Sequence, residues 1–91
     1  LYELPQWAAI FTEEKRKEIA KQVMRMGEDA KVAIRNVRRD ANDKIKAMKK
    51  SSEMTEDEQK LSEKDVQTLT DNYIAKIDKI TEQKNKDVMS I

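Results

Sequence analysis

The stretch "KVAIRNVRRDANDKIKAM" at residues 31–48 decides the fold of this chain. Its apolar residues recur every three or four positions, which places them along one side of an α-helix. They are Ala33, Ile34, Val37, Ala41, Ile45 and Met48. Beside that stripe, Lys31, Arg35, Arg38 and Asn42 recur at helical spacing. The pattern predicts a helix that packs its apolar side onto a partner and holds a cationic ridge in water.

This ridge has two interpretations from the pattern alone. Arginine offers a planar fork of donors that matches phosphate oxygens, so a cationic ridge on a rigid helix is suited to nucleic acid. The other interpretation is a solvated charged face with ordinary local pairs, such as Arg39–Asp43. The residues themselves leave both interpretations open.

The composition limits the kinds of protein that the chain can be. Ninety-one residues make one small domain at most, and 41% charged residues with one Gly and one Pro are typical of long exposed helices. The absence of Cys excludes disulfides and thiolate zinc sites. The absence of His removes the commonest general base and transition-metal ligand. We therefore expect no enzyme activity, no cofactor and no metal site.

The charge is unevenly spread along the chain. Residues 12–48 carry 11 Lys and Arg against 7 Asp and Glu, whereas residues 49–91 carry 8 against 10, so the first helix should carry the cationic surface. No apolar run approaches the roughly 18 residues that a membrane-spanning helix needs. We therefore expect a cytoplasmic protein without a membrane partner.

The predicted first helix covers residues 12–50. Thr12 followed by two glutamates favours a helix start, because a hydroxyl caps the first turn and acids suit the positive end of the helix dipole. Apolar residues then continue at helical spacing as far as Met48. Gly27 interrupts this helix at a cost of about 1 kcal/mol relative to Ala, which indicates a close approach of another backbone or a slight bend.

The predicted second helix covers residues 55–89. The polar break "SSEM" at 51–54 separates it from the first helix, and Thr55 with Glu58 three positions later predicts a capping box. Because the connection is short, the two helices should be antiparallel neighbours. The fold class is therefore all-α, a long antiparallel helical hairpin.

The two apolar stripes are too wide for a bare hairpin to bury. A hairpin of this kind is marginally stable, because most of the stability of a helix comes from packing its apolar face. The stripe left exposed comprises Val23, Met26, Val37, Leu69, Tyr73 and Ile77. We therefore expect the hairpin to be part of a three-helix bundle, or to form a four-helix bundle with a second copy packed antiparallel.

Residues 1–11, "LYELPQWAAIF", differ in composition from the rest and hold the only Pro, Trp and Phe of the chain. One interpretation is a hydrophobic lead-in that covers one end of the bundle, with Trp7 partly buried. The other is a recognition segment for a protein or antibody partner. Its recognition residues would be Tyr2, Trp7, Ile10 and Phe11.

Several strings in the chain resemble the bacterial ribosome recycling factor family. They are "FTEEKRKEIAKQV" at 11–23, "GEDAKVAIRNVRRDANDKIKAM" at 27–48, "TEDE" at 55–58 and "DVQTLTDNYIAKID" at 65–78. The resemblance runs from about Thr12 to Ile91. It implies the second and third helices of the family's three-helix domain I. The family's first helix and its small β-rich domain II have no counterpart in this sequence.

The resemblance also implies a division of the chain and an origin for it. Residues 12–91 would be the helical bundle domain, and residues 1–11 a leader segment without a counterpart in the family. A missing domain together with a foreign leader indicates an engineered or truncated derivative.

The resemblance implies a function and a set of site residues. Members of the family bind the large ribosomal subunit after termination and split the ribosome with elongation factor G, and arginines of the second helix contact ribosomal RNA phosphates. Carried over to this sequence, those arginines are Arg16 in "EEKRK" and Arg35 and Arg38 in "IRNVRR". Recycling in the family also needs domain II, so this chain alone should not be competent.

A second class of function stays open at this point. The chain would then be an engineered helical scaffold that displays residues 1–11, or a helix face, to a protein or antibody partner. Non-family residues confined to 1–11 favour display at that end, whereas the three retained arginines favour the ribosome.

Overall fold

Two long helices lie side by side in opposite directions. The structure is a computed structural model that describes residues 13–90, in which α1 is Glu13–Lys50 and α2 is Glu56–Met89. Gly27 of α1 lies against Thr81 of α2. Near the middle of the hairpin, Arg38 reaches Gln67. These contacts make the pair antiparallel, and the predicted all-α helical hairpin is confirmed.

The connection between the helices is a left-handed C-terminal cap. The backbone N–H of Glu53 donates to the carbonyl of Met48 at 2.9 Å, and that of Ser52 donates to the carbonyl of Lys49 at 3.2 Å. This pair of hydrogen bonds is the Schellman motif, which ends a helix through one residue in the left-handed region. That residue is Ser52, with a φ of 63°. Serine thus occupies a position where glycine is usual.

Helix α2 begins at the predicted cap. The hydroxyl of Thr55 accepts a hydrogen bond from the backbone N–H of Glu58 at 3.1 Å, and it donates to the Glu58 carboxylate at 3.0 Å. In the usual capping box, the glutamate reaches the backbone N–H of the cap residue. Here the Glu58 carboxylate accepts from the Thr55 hydroxyl instead. The pair therefore satisfies one backbone donor of the first turn, the N–H of Glu58.

The interior between the helices is narrow. Ile45 is the buried hydrophobic residue of the described part of the chain, with 8% of its surface exposed. Thr70, at 5%, is also buried, and its hydroxyl donates to the carbonyl of Val66 at 2.7 Å, so its burial leaves no unmet donor. Gly27 is buried against Thr81, so the glycine serves a close approach between helices, as one of the two interpretations of the sequence predicted.

One side of the hairpin carries a long apolar groove between the two helices. Helix α1 contributes Val23, Met26, Ala30, Ile34, Val37 and Ala41. Helix α2 contributes Val66, Leu69, Thr70, Tyr73, Ile77 and Ile80. This surface, called the apolar groove below, contains the whole stripe that the sequence predicted to be exposed. Whether a third helix or a second copy covers it stays a prediction.

Two further expectations concern the chain as a whole. No helix within residues 13–90 is long and apolar enough to cross a membrane. The leader segment 1–11, including the predicted partial burial of Trp7, lies outside the described residues.

Candidate nucleic-acid interface

The side of α1 that turns away from the apolar groove is rich in cations. At 3.6 residues per turn, seven Lys and Arg residues project from this side or from its border with α2. They are Lys21, Arg25, Lys31, Arg35, Arg38, Arg39 and Lys46. The acids in the same interval are Glu28, Asp29 and Asp43 on the same side and Asp40 at its other border. This surface, called the basic face below, is the candidate nucleic-acid interface.

Lys31 is held at the border between the helices by two carboxylates. Its Nζ lies 2.8 Å from Oδ1 of Asp78 on α2 and 2.8 Å from Oε1 of Glu28 one turn away. The side chain is only 14% exposed, and its ammonium group reaches Asp78 on α2. The hydrogen bond to Asp78, and then the one to Glu28, raises the pKa of Lys31 above its ordinary value. The ammonium group of Lys31 is therefore already committed within the hairpin.

Arg38 is also directed toward α2. Its Nη1 donates to Oε1 of Gln67 at 3.4 Å, and the Gln67 amide in turn donates to Asp71 at 2.8 Å. One end of the guanidinium group is thus oriented by a side chain of the opposite helix. Arg38 also lines the apolar groove, so it stands at the boundary between two surfaces.

The predicted cationic ridge in water needs a correction. Lys31, Arg35, Arg38 and Asn42 are all half-buried, and two of them bond to α2. Residues that lie next to an apolar stripe fall at the edge of the helix–helix contact, where long side chains reach the partner helix. The side-chain carbonyl of Asn42 is buried without a hydrogen-bond partner among residues 13–90. The ridge is therefore a border of the hairpin and only partly a solvent-facing surface.

Arg35 and Arg39 are the arginines available for external contacts at the centre of the basic face. Within residues 13–90, neither has a hydrogen bond or an ion pair, so the pair Arg39–Asp43 is not formed. Arg39 is exposed and Arg35 is half-buried. Since Arg35 and Arg38 are three residues apart, their guanidinium groups share one turn of α1.

Arg16 lies apart from the other two predicted arginines. It is half-buried near the start of α1, about 28 Å along the helix from Arg35. Eighteen residues are five helical turns, so Arg16 projects on the same side as Ile34, which lines the groove. The structure therefore brings Arg35 and Arg38 together and leaves Arg16 at one end. The other predicted recognition residues, Tyr2, Trp7, Ile10 and Phe11, lie outside the described residues.

Two residues of α2 that bind cations of the basic face were not predicted from the sequence. Asp78 and Gln67 lie 47 and 29 positions from the cations that they bind. The available signal was the antiparallel pairing of the two helices, which places α2 side chains opposite the polar border of α1.

A comparison with known protein families shows which family the chain belongs to. The sequence profile described as ribosome recycling factor matches residues 8–89, which covers both helices of the hairpin. This chain belongs to the ribosome recycling factor family. The match begins at residue 8, within the stretch that we expected to have no counterpart in the family.

Individual ribosome recycling factors are similar over most of the chain. The ribosome-recycling factor of Bacillus licheniformis is 59% identical over 80 residues, which is 88% of this chain and 43% of that protein. The factor of Acetivibrio thermocellus is 58% identical, over 88% of this chain and 44% of its own length. The factor of Clostridium acetobutylicum is 56% identical, over 88% and 43%. This chain thus spans less than half the length of these relatives, and its family membership does not favour the scaffold interpretation.

Proposed function

We propose that this chain acts in ribosome recycling by binding large-subunit ribosomal RNA through the basic face of α1. The observation that carries the proposal is Arg35, which stands on this face without a partner among residues 13–90. Arg35 is half-buried as a residue, and its guanidinium group makes no hydrogen bond within the described residues, so its planar fork of donors is free for bidentate binding of a phosphate. Membership of the ribosome recycling factor family supports the same reading.

Arg38 also belongs to the proposed interface, and its guanidinium group is held by a hydrogen bond to Gln67. Gln67 orients one side of its guanidinium group, so less side-chain entropy is lost when the remaining donors meet a phosphate. Arg16 lies about five helical turns from Arg35, on the order of 30 Å along α1, and would bind the RNA backbone outside the basic face, because it projects on the side of the groove. Because contacts to phosphates position a protein without reading bases, this interface should favour RNA shape over sequence.

The proposal includes the limits of the chain and its other partner. This chain corresponds to less than half of the relatives that it matches, so we propose that it binds RNA without splitting ribosomes alone. Elongation factor G is the proposed protein partner of the complete reaction, by membership of the family. The proposed setting is the cytoplasm, and the proposed role is binding without catalysis.

The proposal is tested by measuring the affinity of the 91-residue chain for large-subunit ribosomal RNA at several salt concentrations. We expect binding at low salt that weakens steeply as salt is added, because phosphate contacts release counterions. The control for non-specific attraction is RNA of the small ribosomal subunit, cut to the same length as the large-subunit RNA. The chain should bind this control less tightly. Equal affinity for the two RNAs, or no binding at low salt, would overturn the proposal.

A further inference from the structure

The contact between Lys31 and Asp78 has an equivalent two helical turns nearer the loop. Because the helices are antiparallel, seven residues forward along α1 and seven back along α2 lead from this pair to Arg38 and Asp71. Seven residues are about two turns, or about 10.5 Å, and they return to nearly the same side of each helix. Arg38 and Asp71 therefore stand opposite each other on the two helices, as Lys31 and Asp78 do.

The two levels differ in how the cation and the carboxylate are joined. Lys31 lies 2.8 Å from Asp78 in a direct ion pair. No ion pair joins Arg38 to Asp71 within the described helices. Gln67 binds both residues instead. Its Oε1 accepts from Nη1 of Arg38 at 3.4 Å, and its Nε2 donates to Oδ1 of Asp71 at 2.8 Å. The amide group thus takes the place of a direct ion pair.

The residues at the two levels explain the difference. The residue that corresponds to Gln67 at the level of Lys31 is Ile74, whose side chain forms no hydrogen bonds. In the same correspondence Arg35 stands where Glu28 binds Lys31. One level therefore holds one cation between two acids, whereas the other holds two arginines, one acid and one amide. The second level is the one with guanidinium groups to offer to an external anion.

On the basis of the RNA binding proposed above, we propose that Gln67 is a positioning residue that keeps Arg38 available for an RNA phosphate. Asp71 stands at the level of Arg38, and a carboxylate can accept from both prongs of the arginine fork. Gln67 binds that carboxylate through its amide group and leaves Arg38 with one hydrogen bond to an uncharged side chain. The remaining donors of the guanidinium group are then free to meet phosphate oxygens.

A second glutamine of α2 separates this role from ordinary helix stabilisation. Gln83 donates to Asp87 at 3.1 Å with the same spacing of four residues, and such pairs stabilise a helix wherever they occur. Within the described helices Gln83 forms no hydrogen bond with an arginine. Gln83→Met therefore removes a similar hydrogen bond without changing the surroundings of Arg38, and it is the matched control for Gln67→Met.

The first test is RNA binding by Gln67→Met at several salt concentrations. Methionine has a similar length and helix propensity, and the net charge of the chain is unchanged. The affinity for large-subunit ribosomal RNA should fall several-fold, because Asp71 then occupies the guanidinium group of Arg38. The slope of log affinity against log salt should flatten by about 0.7–0.9 for the lost phosphate contact. Gln83→Met should bind as the parent does. A Gln67→Met variant with the affinity and slope of the parent would overturn the proposal.

Rescue by a second substitution tests whether the loss passes through Asp71. Adding Asp71→Asn to Gln67→Met should restore the affinity of the parent. It should also strengthen binding more in that background than in the parent, where it removes a negative charge but frees no arginine. In an Arg38→Ala background, Gln67→Met should have no further effect. A loss that persists after Asp71→Asn, or that adds to the loss from Arg38→Ala, would show a merely structural role and would overturn the proposal.

The second test needs no RNA, so it separates the role of Gln67 from the proposed function. NMR measures how fast the guanidinium group of Arg38 rotates about its Cζ–Nε bond, and a carboxylate bound to both prongs of the fork slows this rotation. The rotation should slow several-fold in Gln67→Met and recover when Asp71→Asn is added. An unchanged rate would overturn the proposal even if the chain binds RNA. A slowed rate in a chain that binds no RNA would support the control of Arg38 by Gln67 and overturn the proposed function alone.

Discussion

Gly27 of α1 and Thr81 of α2 lie so close that no side chain fits between the two helices at this level. A β-carbon added to Gly27 would lie 2.6 Å from Oγ1 and 3.3 Å from Cγ2 of Thr81. Rotation of Thr81 about χ1 leaves at least one of its two branches facing Gly27, because only one of the three staggered positions on the β-carbon holds a hydrogen. The helix tolerates a glycine here because the contact requires it.

The first prediction is that Gly27→Ala destabilises the hairpin despite the better helix propensity of alanine. Alanine gains about 1 kcal/mol in a helix interior, whereas overpacking costs about 1–3 kcal/mol. In a Thr81→Ala background both clashing atoms are gone, so Gly27→Ala should then raise the free energy of unfolding by about 1 kcal/mol. Urea denaturation of the four variants at one fixed chain concentration measures both effects. An identical effect of Gly27→Ala in the two backgrounds would contradict the steric explanation.

The second prediction concerns the loop. Ser52 adopts a φ of 63°, a conformation that costs a residue with a β-carbon about 1–2 kcal/mol. Ser52→Gly removes that strain and loses part of the gain to the greater entropy of glycine in the unfolded chain. We expect the free energy of unfolding to rise by about 0.5–1 kcal/mol.

The neighbouring serine is the control for this substitution. Ser51 does not have a positive φ, and its hydroxyl donates to the carbonyl of Met48 at 3.1 Å. Ser51→Gly should therefore lower the free energy of unfolding, whereas Ser52→Gly should raise it. If both glycines shifted the urea midpoint in the same direction, the left-handed conformation would not be the source of the strain.

The sequence predicted the hairpin because its apolar spacing is regular on both helices, and predicted the cap at Thr55 because that signal is local. It failed at the border between the helices. Lys31 and Arg38 were expected in water, since their partners Asp78 and Gln67 lie far away in sequence and no local pattern points to them. The left-handed Ser52 was also not predictable, because serine carries no local signal for a positive φ.

The candidate interface was predictable only in part for a related reason. Helical spacing located Arg35 and Arg38 on one turn, but it did not reveal that Gln67 orients one and that the other has no partner in the hairpin. Spacing alone gives the angle of a residue around its own helix. The contribution of each arginine depends on where the second helix lies.

The third prediction is that the hairpin loses stability at alkaline pH because Lys31 loses its proton and with it the ion pair to Asp78. Its pKa is raised in the folded state, chiefly by Asp78, relative to about 10.4 in the unfolded chain. A raised lysine pKa contributes stability that is fully present below about pH 10.4 and is lost as the pH rises through the folded-state value. Asp78→Asn should therefore lower the melting temperature at neutral pH, and the difference from the parent should narrow above about pH 10.4.

Two further variants test whether this effect belongs to Lys31. Glu28→Gln should act in the same direction but more weakly, because Glu28 contributes less to the raised pKa. Glu82→Gln removes an exposed pair with Lys86, whose side chains are 71% and 69% exposed, and such pairs contribute little at any pH. Thermal melts between pH 7 and 12 should therefore show a pH-dependent difference for Asp78→Asn and none for Glu82→Gln.

The fourth prediction separates Arg35 from Arg38 in RNA binding. Arg35→Ala removes a guanidinium group without a partner in the hairpin, so stability and helix content should stay unchanged while binding weakens. The slope of log affinity against log salt should flatten by about 0.7–0.9 for the lost phosphate contact. Arg38→Ala should weaken binding and also lower stability, because it removes the hydrogen bond to Gln67 and part of the groove wall.

The control for the fourth prediction must distinguish a specific fork from bulk charge. Arg39→Ala removes one positive charge from the basic face, four residues from Arg35. Lys79→Ala removes one positive charge from α2, outside the basic face. Arg35→Lys keeps the charge and loses the planar fork, so it should retain most of the salt slope and still bind less tightly than the parent. Equal losses for Arg35→Ala and Arg39→Ala, with Arg35→Lys like the parent, would mean that the basic face acts through its net charge. A loss confined to Arg35 and Arg38 would instead require that their shared turn meets the phosphates in one defined geometry.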